Sequence, residues 1–162
     1  MKKAKIMLIA SLLLVFVSMT LVGCGRGFSV SGSAPTLEQL QGRWDLVETM
    51  YREGNHTFTN RPGDTDWVFT GQYHITFTDN HFEEFNFWHW NTVHGTFVLD
   101  GSSLTLSPSV ASPPIPMGGY AYINQRSLGL EGNILTMTYT RRANVLGRNV
   151  TWHYLHTFTK AA

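Results

Sequence analysis

Arg126, Tyr139, Arg141, His89 and His156 fall on the same alternate positions of extended segments as Phe85, Phe87, Leu135, Met137, Trp152 and Phe158. If that shared face is the interior of a β-structure, it makes an apolar, aromatic cup with a few convergent polar groups, the usual make-up of a ligand pocket. A guanidinium beside a phenol suits a carboxylate or phosphate headgroup, because arginine binds such groups through two parallel hydrogen bonds. On this reading Arg126→Ala weakens binding of an anionic ligand and leaves the fold intact. The competing arrangement puts Arg126 and Arg141 at the rims and packs the interior with side chains.

Other chemistries find less in the residues. Seven histidines invite a zinc site, which needs three or four N, O or S ligands. Yet no His-x-His occurs within a candidate strand, and His153 and His156 point to opposite faces. One register sets Trp90 opposite His94, but no ligand set can be named. Catalytic motifs are missing: there is no Gly-x-Ser-x-Gly and no His-Glu-x-x-His. The adjacent acids Glu83 and Glu84 diverge in a regular strand, so they make a poor acid/base couple. The chain therefore reads as a non-enzyme without catalytic residues or a cofactor. Trp88 and Trp90, with Glu84 and Asn86, occupy the face opposite Phe85 and Phe87. There they form a patch for a protein or glycan partner, or they cover a barrel end.

The N-terminus carries an address. Lys2, Lys3 and Lys5 precede an apolar run over residues 6–17, a charge pattern and length that fit an export signal rather than a spanning helix. The run ends at Leu21-Val22-Gly23-Cys24, which resembles the lipobox of bacterial lipoproteins. The resemblance implies a diacylglycerol on the Cys24 thiol, cleavage ahead of it, and an extracytoplasmic protein anchored in a cell membrane or outer membrane. More than one acyl chain on a single residue is what stable anchoring requires. Cys24 is the only cysteine, so an intramolecular disulfide is impossible and the fold rests on its core.

Cleavage before Cys24 leaves 139 of the 162 residues, enough for one domain with a proper core. That part holds nine Lys and Arg against eleven Asp and Glu, so the net basic charge of the whole chain belongs to the signal. A nucleic-acid partner loses its electrostatic footing. The division expected is residues 1–23 signal, 24–36 lipidated cysteine and Gly/Ser-rich flexible tether, and 37–162 folded domain.

Within that domain a period of two dominates, and Thr, Val, Phe, Tyr and Trp are abundant. Thr36 caps a short helical turn over residues 37–40. Strands are expected at 44–52, 67–70, 73–78, 82–90, 92–99, 104–106, 120–130, 134–141 and 150–159. Loops are expected through Arg61-Pro62-Gly63-Asp64, through the prolines of 107–119 and over 142–149. Asp79-Asn80 and Gly132-Asn133 read as hairpin turns. The second sets Leu130 against Leu135, Leu128 against Met137 and Arg126 against Tyr139. The last hairpin is expected to pair Tyr139 with Trp152 and Met137 with Tyr154. Glu83-Glu84 interrupts the alternation between Phe82 and Phe85, which reads as a β-bulge. The fold class is all-β: an antiparallel up-and-down meander of about eight strands whose edges are removed by closure into a barrel.

Gly42-Arg43-Trp44 at the first strand resembles the Gly-x-Trp signature of lipocalins. Two hairpin units, Gly95-Thr96-Phe97-Val98-Leu99-Asp100-Gly101 with Leu104-Thr105-Leu106 and Leu130-Glu131-Gly132-Asn133 with Leu135-Thr136-Met137, are similar to those of small bacterial lipocalin-like lipoproteins. The resemblance covers roughly residues 37–160 and implies a lipocalin-like barrel. It also implies an arginine near the last strand over the Trp44 ring, with Arg141 and Arg148 as candidates. The Thr-Asp-Tyr motif of lipocalins has no counterpart at the later turn. Together these features lead to an expected function: a membrane-anchored lipoprotein binding a small hydrophobic or amphipathic ligand through Arg126, Tyr139, Arg141, His89, His156 and Trp152. A non-catalytic protein or glycan interaction module with a packed barrel is the alternative, and divalent metal binding by histidines the third.

Overall fold

Alternating side chains in a chain with few helix formers can bury one face only by pairing strands and curving them around a common core. The computed structural model describes residues 27–61, 73–86, 91–109 and 123–162. Helix α1 (Leu37–Leu40) is followed by β1 (Gly42–Glu53), β2 (His56–Asn60), β3 (His74–Thr78), β4 (His81–Asn86) and β5 (Asn91–Asp100). Then come β6 (Ser103–Pro108), β7 (Gln125–Glu131), β8 (Ile134–Val145) and β9 (Arg148–Lys160). Each strand pairs antiparallel with its neighbour from β3 to β9. β1 joins β3 on one edge and β9 on the other. Eight strands thus close into a barrel, and β2 is an additional strand on the far half of β1.

The expected turns hold at Asp79-Asn80 and Gly132-Asn133, with Phe77 against Phe82 and Leu130 against Leu135. Thr36 caps α1 through a reciprocal box: Gln39 N–H donates to Thr36 Oγ1 and Thr36 N–H to Gln39 Oε1.

Four expectations change. The loop over 142–149 is mostly strand, because β8 and β9 run on to a two-residue turn at Leu146-Gly147, both with positive φ. That turn moves the last hairpin by two residues, so Tyr139 faces Tyr154, Met137 faces His156 and Arg141 faces Trp152. The bulge lies elsewhere. β4 pairs without a break on both sides, and the register shift falls in β1 between Leu46 and Glu48. It turns Trp44 and Leu46 inward below Val47 and Thr49 inward above it. With β4 regular, Phe85 stands on the outer face, stacked 5.5 Å from His74, and Glu84 points inside. His94 accordingly sits opposite Glu83. Finally, residues 56–60, read as part of a polar loop, form β2.

The interior is filled at one end. Ile75, Phe77, Phe82, Phe97, Leu104, Leu106, Leu128, Leu135, Met137 and Phe158 are buried there, and α1 with Trp44 forms the floor. Trp44 Nε1 donates to the Leu40 carbonyl at 2.8 Å. The cation over the Trp44 ring is Lys160, 5.3 Å from the centroid, and its ammonium also donates to the Gln39 carbonyl. Arg141 and Arg148 lie toward the opposite end of β8 and β9.

The stretch expected as a free tether is partly docked. Ser33 pairs with Leu130 at the edge of β7 where β6 has ended, and Ser31 exchanges hydrogen bonds with Thr136 Oγ1. A Cβ on Gly129 would stand 2.0 Å from the Ser31 carbonyl oxygen, so only glycine admits the strap. Gly129→Ala is expected to lift residues 27–34 from the barrel. Limited proteolysis should then cut that stretch much faster while the melting temperature of the barrel barely moves. Unchanged protection would mean that the contact does not hold the strap.

Candidate functional site in the barrel interior

Above the packed floor the interior turns polar. β7 brings Arg126 inward, because it lies two residues before Leu128 on the same face, and β4 brings Glu84 two residues after Phe82. The pair is bidentate: Arg126 Nη2 donates to Glu84 Oε2 at 2.7 Å and Nη1 to Oε1 at 3.1 Å. The side chains are 4% and 2% exposed. Tyr73 donates its phenol to the same carboxylate, and Arg126 Nε donates to the Ile123 carbonyl at 3.2 Å. The carboxylate that Arg126 was expected to meet on a ligand is therefore supplied by the chain itself.

Tyr139 lies with its ring 5.6 Å from the Arg126 guanidinium carbon and its hydroxyl 3.0 Å from His156 Nε2. Burial, and then the Arg126 charge, hold the His156 imidazole down to about 3, so it is neutral at physiological pH. Burial likewise pushes the Tyr73 and Tyr139 phenols up, out of the range where they ionise. Among the described residues, two buried polar atoms have no hydrogen-bond partner: His156 Nδ1 and Thr49 Oγ1. Their residues face each other across the β1–β9 pairing. An orphaned polar group inside a protein costs about 1–3 kcal/mol, so such neighbours are a place where a ligand atom is welcome.

Toward the end away from the floor an aromatic row crosses four strands. Phe58 stacks on Tyr51 at 4.7 Å, Tyr51 on Tyr154 at 6.0 Å, and Tyr154 on Tyr139 at 4.9 Å. Phe58 is 44% exposed, so the row runs from the Arg126–Glu84 pair out to solvent. Trp152 and Arg141 face each other on the same side of the sheet, and Trp152 Nε1 donates to Glu53 Oε2 at 3.0 Å.

Of the residues expected to bind a ligand, Arg126, Tyr139 and His156 come together, and Arg141 and Trp152 stand one step higher. His89 lies outside the described residues, as do Cys24, Phe87, Trp88, Trp90, the candidate strand 67–70 and most of the proline loop. Sequence reasoning missed Glu84, Tyr73, Thr49, Tyr51, Tyr154 and Phe58. For Glu84 the signal was present: the Phe77–Phe82 pair, carried two residues on, turns it inward. Among the described residues no three His, Cys, Asp or Glu side chains gather as metal ligands. The chain matches no protein-family model, no curated protein and no solved structure.

Proposed function

We propose that the protein is a lipid-anchored extracytoplasmic lipoprotein, held by Cys24, whose lipocalin-like barrel binds a small amphipathic molecule without catalysis. The observation that carries the ligand reading is the pair of orphaned polar atoms, Thr49 Oγ1 and His156 Nδ1, beneath the aromatic row of Tyr139, Tyr154, Tyr51 and Phe58. Both orphans are closed off from solvent in the free protein, so on this reading the rings above them shift to let a polar end hydrogen-bond there while an apolar body lies along the row. Because Glu84 neutralises Arg126, the polar end that suits this interior is uncharged, a hydroxyl, carbonyl or amide. What supports the lipocalin comparison is the closed eight-strand barrel; the cation over Trp44 is Lys160, where the Gly-x-Trp resemblance implies an arginine.

Mass spectrometry of small molecules extracted from the purified lipoprotein, with displacement of a fluorescent fatty-alcohol probe, tests the reading. A stoichiometric amphiphile that competes with the probe supports it, and an empty protein that ignores the probe overturns it. Thr49→Val sharpens the test. It removes an unsatisfied buried hydroxyl at nearly constant shape, so the fold gains about 1 kcal/mol. Affinity for the probe should fall several-fold in the same variant. A hydroxyl that only fills space would give the first effect without the second. A packed barrel serving as an envelope interaction module is the second reading, favoured by the filled floor and the internally satisfied Arg126.

A further inference from the structure

The strap that precedes the barrel climbs it in one direction. Ser33 sits beside Leu130, next to the floor turn, and Ser31 lies across Gly129 and Thr136. Phe28 then lies under the Arg52 guanidinium at 4.9 Å, and Gly27 is beside His153, whose partner on β8 is Thr140. From Thr140 down to the floor turn at Gly132-Asn133 is about seven residues, roughly 20 Å of strand. Cys24 is three residues from Gly27 and reaches at most about 11 Å. An anchor at Cys24 therefore cannot bring the floor to the membrane. The strap is already heading for the other end.

That other end is built for such a surface. The β8–β9 turn places Leu146 at its tip, 99% exposed and held at φ 51. Among the described residues this apolar side chain has nothing to bury against. Around this end, Arg52, Arg141, Arg142 and Arg148 stand against Glu53 among the described residues. The floor end has the opposite sign, with Glu38, Asp45, Asp79, Asp100 and Glu131 against Arg43 and Lys160. A polar groove of about 800 Å³, lined by Gly27, Thr140, Arg142 and His153 among others, opens beside the strap.

We infer that the β8–β9 end of the barrel docks on an anionic phospholipid bilayer, with Leu146 inserted at the headgroup level and Arg142 and Arg148 against the lipid phosphates. This rests on the Cys24 anchor of the proposed function. Each arginine near an anionic surface adds to the attraction, and the contribution falls off with salt. The anchor holds the molecule there and these contacts orient it.

The full lipidated protein in vesicles of phosphatidylglycerol and phosphatidylcholine provides the test. Acylation blocks Cys24, so Leu146→Cys and Asp100→Cys each offer one thiol for an environment-sensitive fluorophore, read against a lipid-borne quencher. The label at 146 should be quenched several-fold more than the label at 100. Adding Arg142→Glu and Arg148→Glu should erase most of the difference. Equal quenching at the two ends, or more at 100, overturns the orientation. The acyl mass on Cys24 is measured on the same samples; if it is missing, anchor and orientation fall together. A barrel that binds no probe while the label at 146 is quenched sinks the ligand reading and leaves the docked end standing.

Discussion

Arg126→Ala should unfold the protein at markedly lower temperature, with a loss of about 3–5 kcal/mol. The substitution leaves the Glu84 carboxylate, 2% exposed, in an interior from which its bidentate partner has gone. Tyr73 still donates one hydrogen bond, but that does not offset the cost of keeping a full charge out of water. For a domain of this size each kcal/mol shifts the midpoint by a few degrees, so a drop on the order of 10 °C or more is expected. Glu84→Ala should be comparably harmful from the other side, stranding a guanidinium. The informative variant is the double substitution Glu84→Leu with Arg126→Met, which replaces both charges by apolar groups. Buried pairs exchanged in this way are often neutral or stabilising, so the double variant should recover most of what either single one loses. Thermal and urea melts of the four proteins close the cycle. A single variant that melts with the wild type would show that the pair is not formed. The prediction reverses the expectation drawn from residue types alone, in which Arg126→Ala spared the fold and weakened an anionic ligand. A loss of binding in that variant would now report on unfolding.

How far the site was legible follows from what each residue type reveals in isolation. The barrel could be read because apolar residues at alternate positions, punctuated by Asp79-Asn80 and Gly132-Asn133, admit few registers, and β7 against β8 came out residue for residue. Arg126, Tyr139 and His156 were gathered on one face by the same periodicity. Glu84 was lost to a reasonable assumption, that Phe85 rather than a carboxylate belongs inside. The carboxylate's position depends on partners 42 and 11 residues away, Arg126 and Tyr73, which no local pattern shows. The last hairpin slipped by two because its turn uses Leu146 at positive φ, a residue that rarely signals one, within a polar stretch that resembles a loop. β2 was invisible for a related reason: four of its five residues are exposed, so burial left no alternation to read. The cation over Trp44 was sought among arginines, and the chain uses Lys160, which also ties Gln39 to the floor.

His156 should make the fold acid-sensitive well above the range where most carboxylates protonate. In the unfolded chain the imidazole titrates near its ordinary value of about 6.5, whereas in the barrel burial and the Arg126 charge lower it to about 3. Between those values the unfolded state binds a proton that the folded state refuses, so stability rises with pH across the window. The contribution of the neutral imidazole is complete above about pH 6.5 and is lost progressively as the pH falls toward 3. A shift of this size corresponds to several kcal/mol at the acid end, comparable with the loss from Arg126→Ala. His156→Phe keeps the ring in place and removes the titration. It also relieves the orphaned Nδ1, while giving up the hydrogen bond to Tyr139. Urea midpoints measured from pH 7 down to pH 4 should therefore fall more steeply for the wild type than for this variant, with the curves converging or crossing at the acid end. Parallel curves would mean that His156 titrates alike in both states and is hydrated in the fold. The same window bears on the ligand, because an amphiphile that donates to His156 Nδ1 binds the neutral imidazole only. Bound ligand should raise the urea midpoint by about the same amount from pH 7 down to pH 4 and leave the decline as steep, since the folded imidazole is neutral with or without it and the proton is taken up by the unfolded chain.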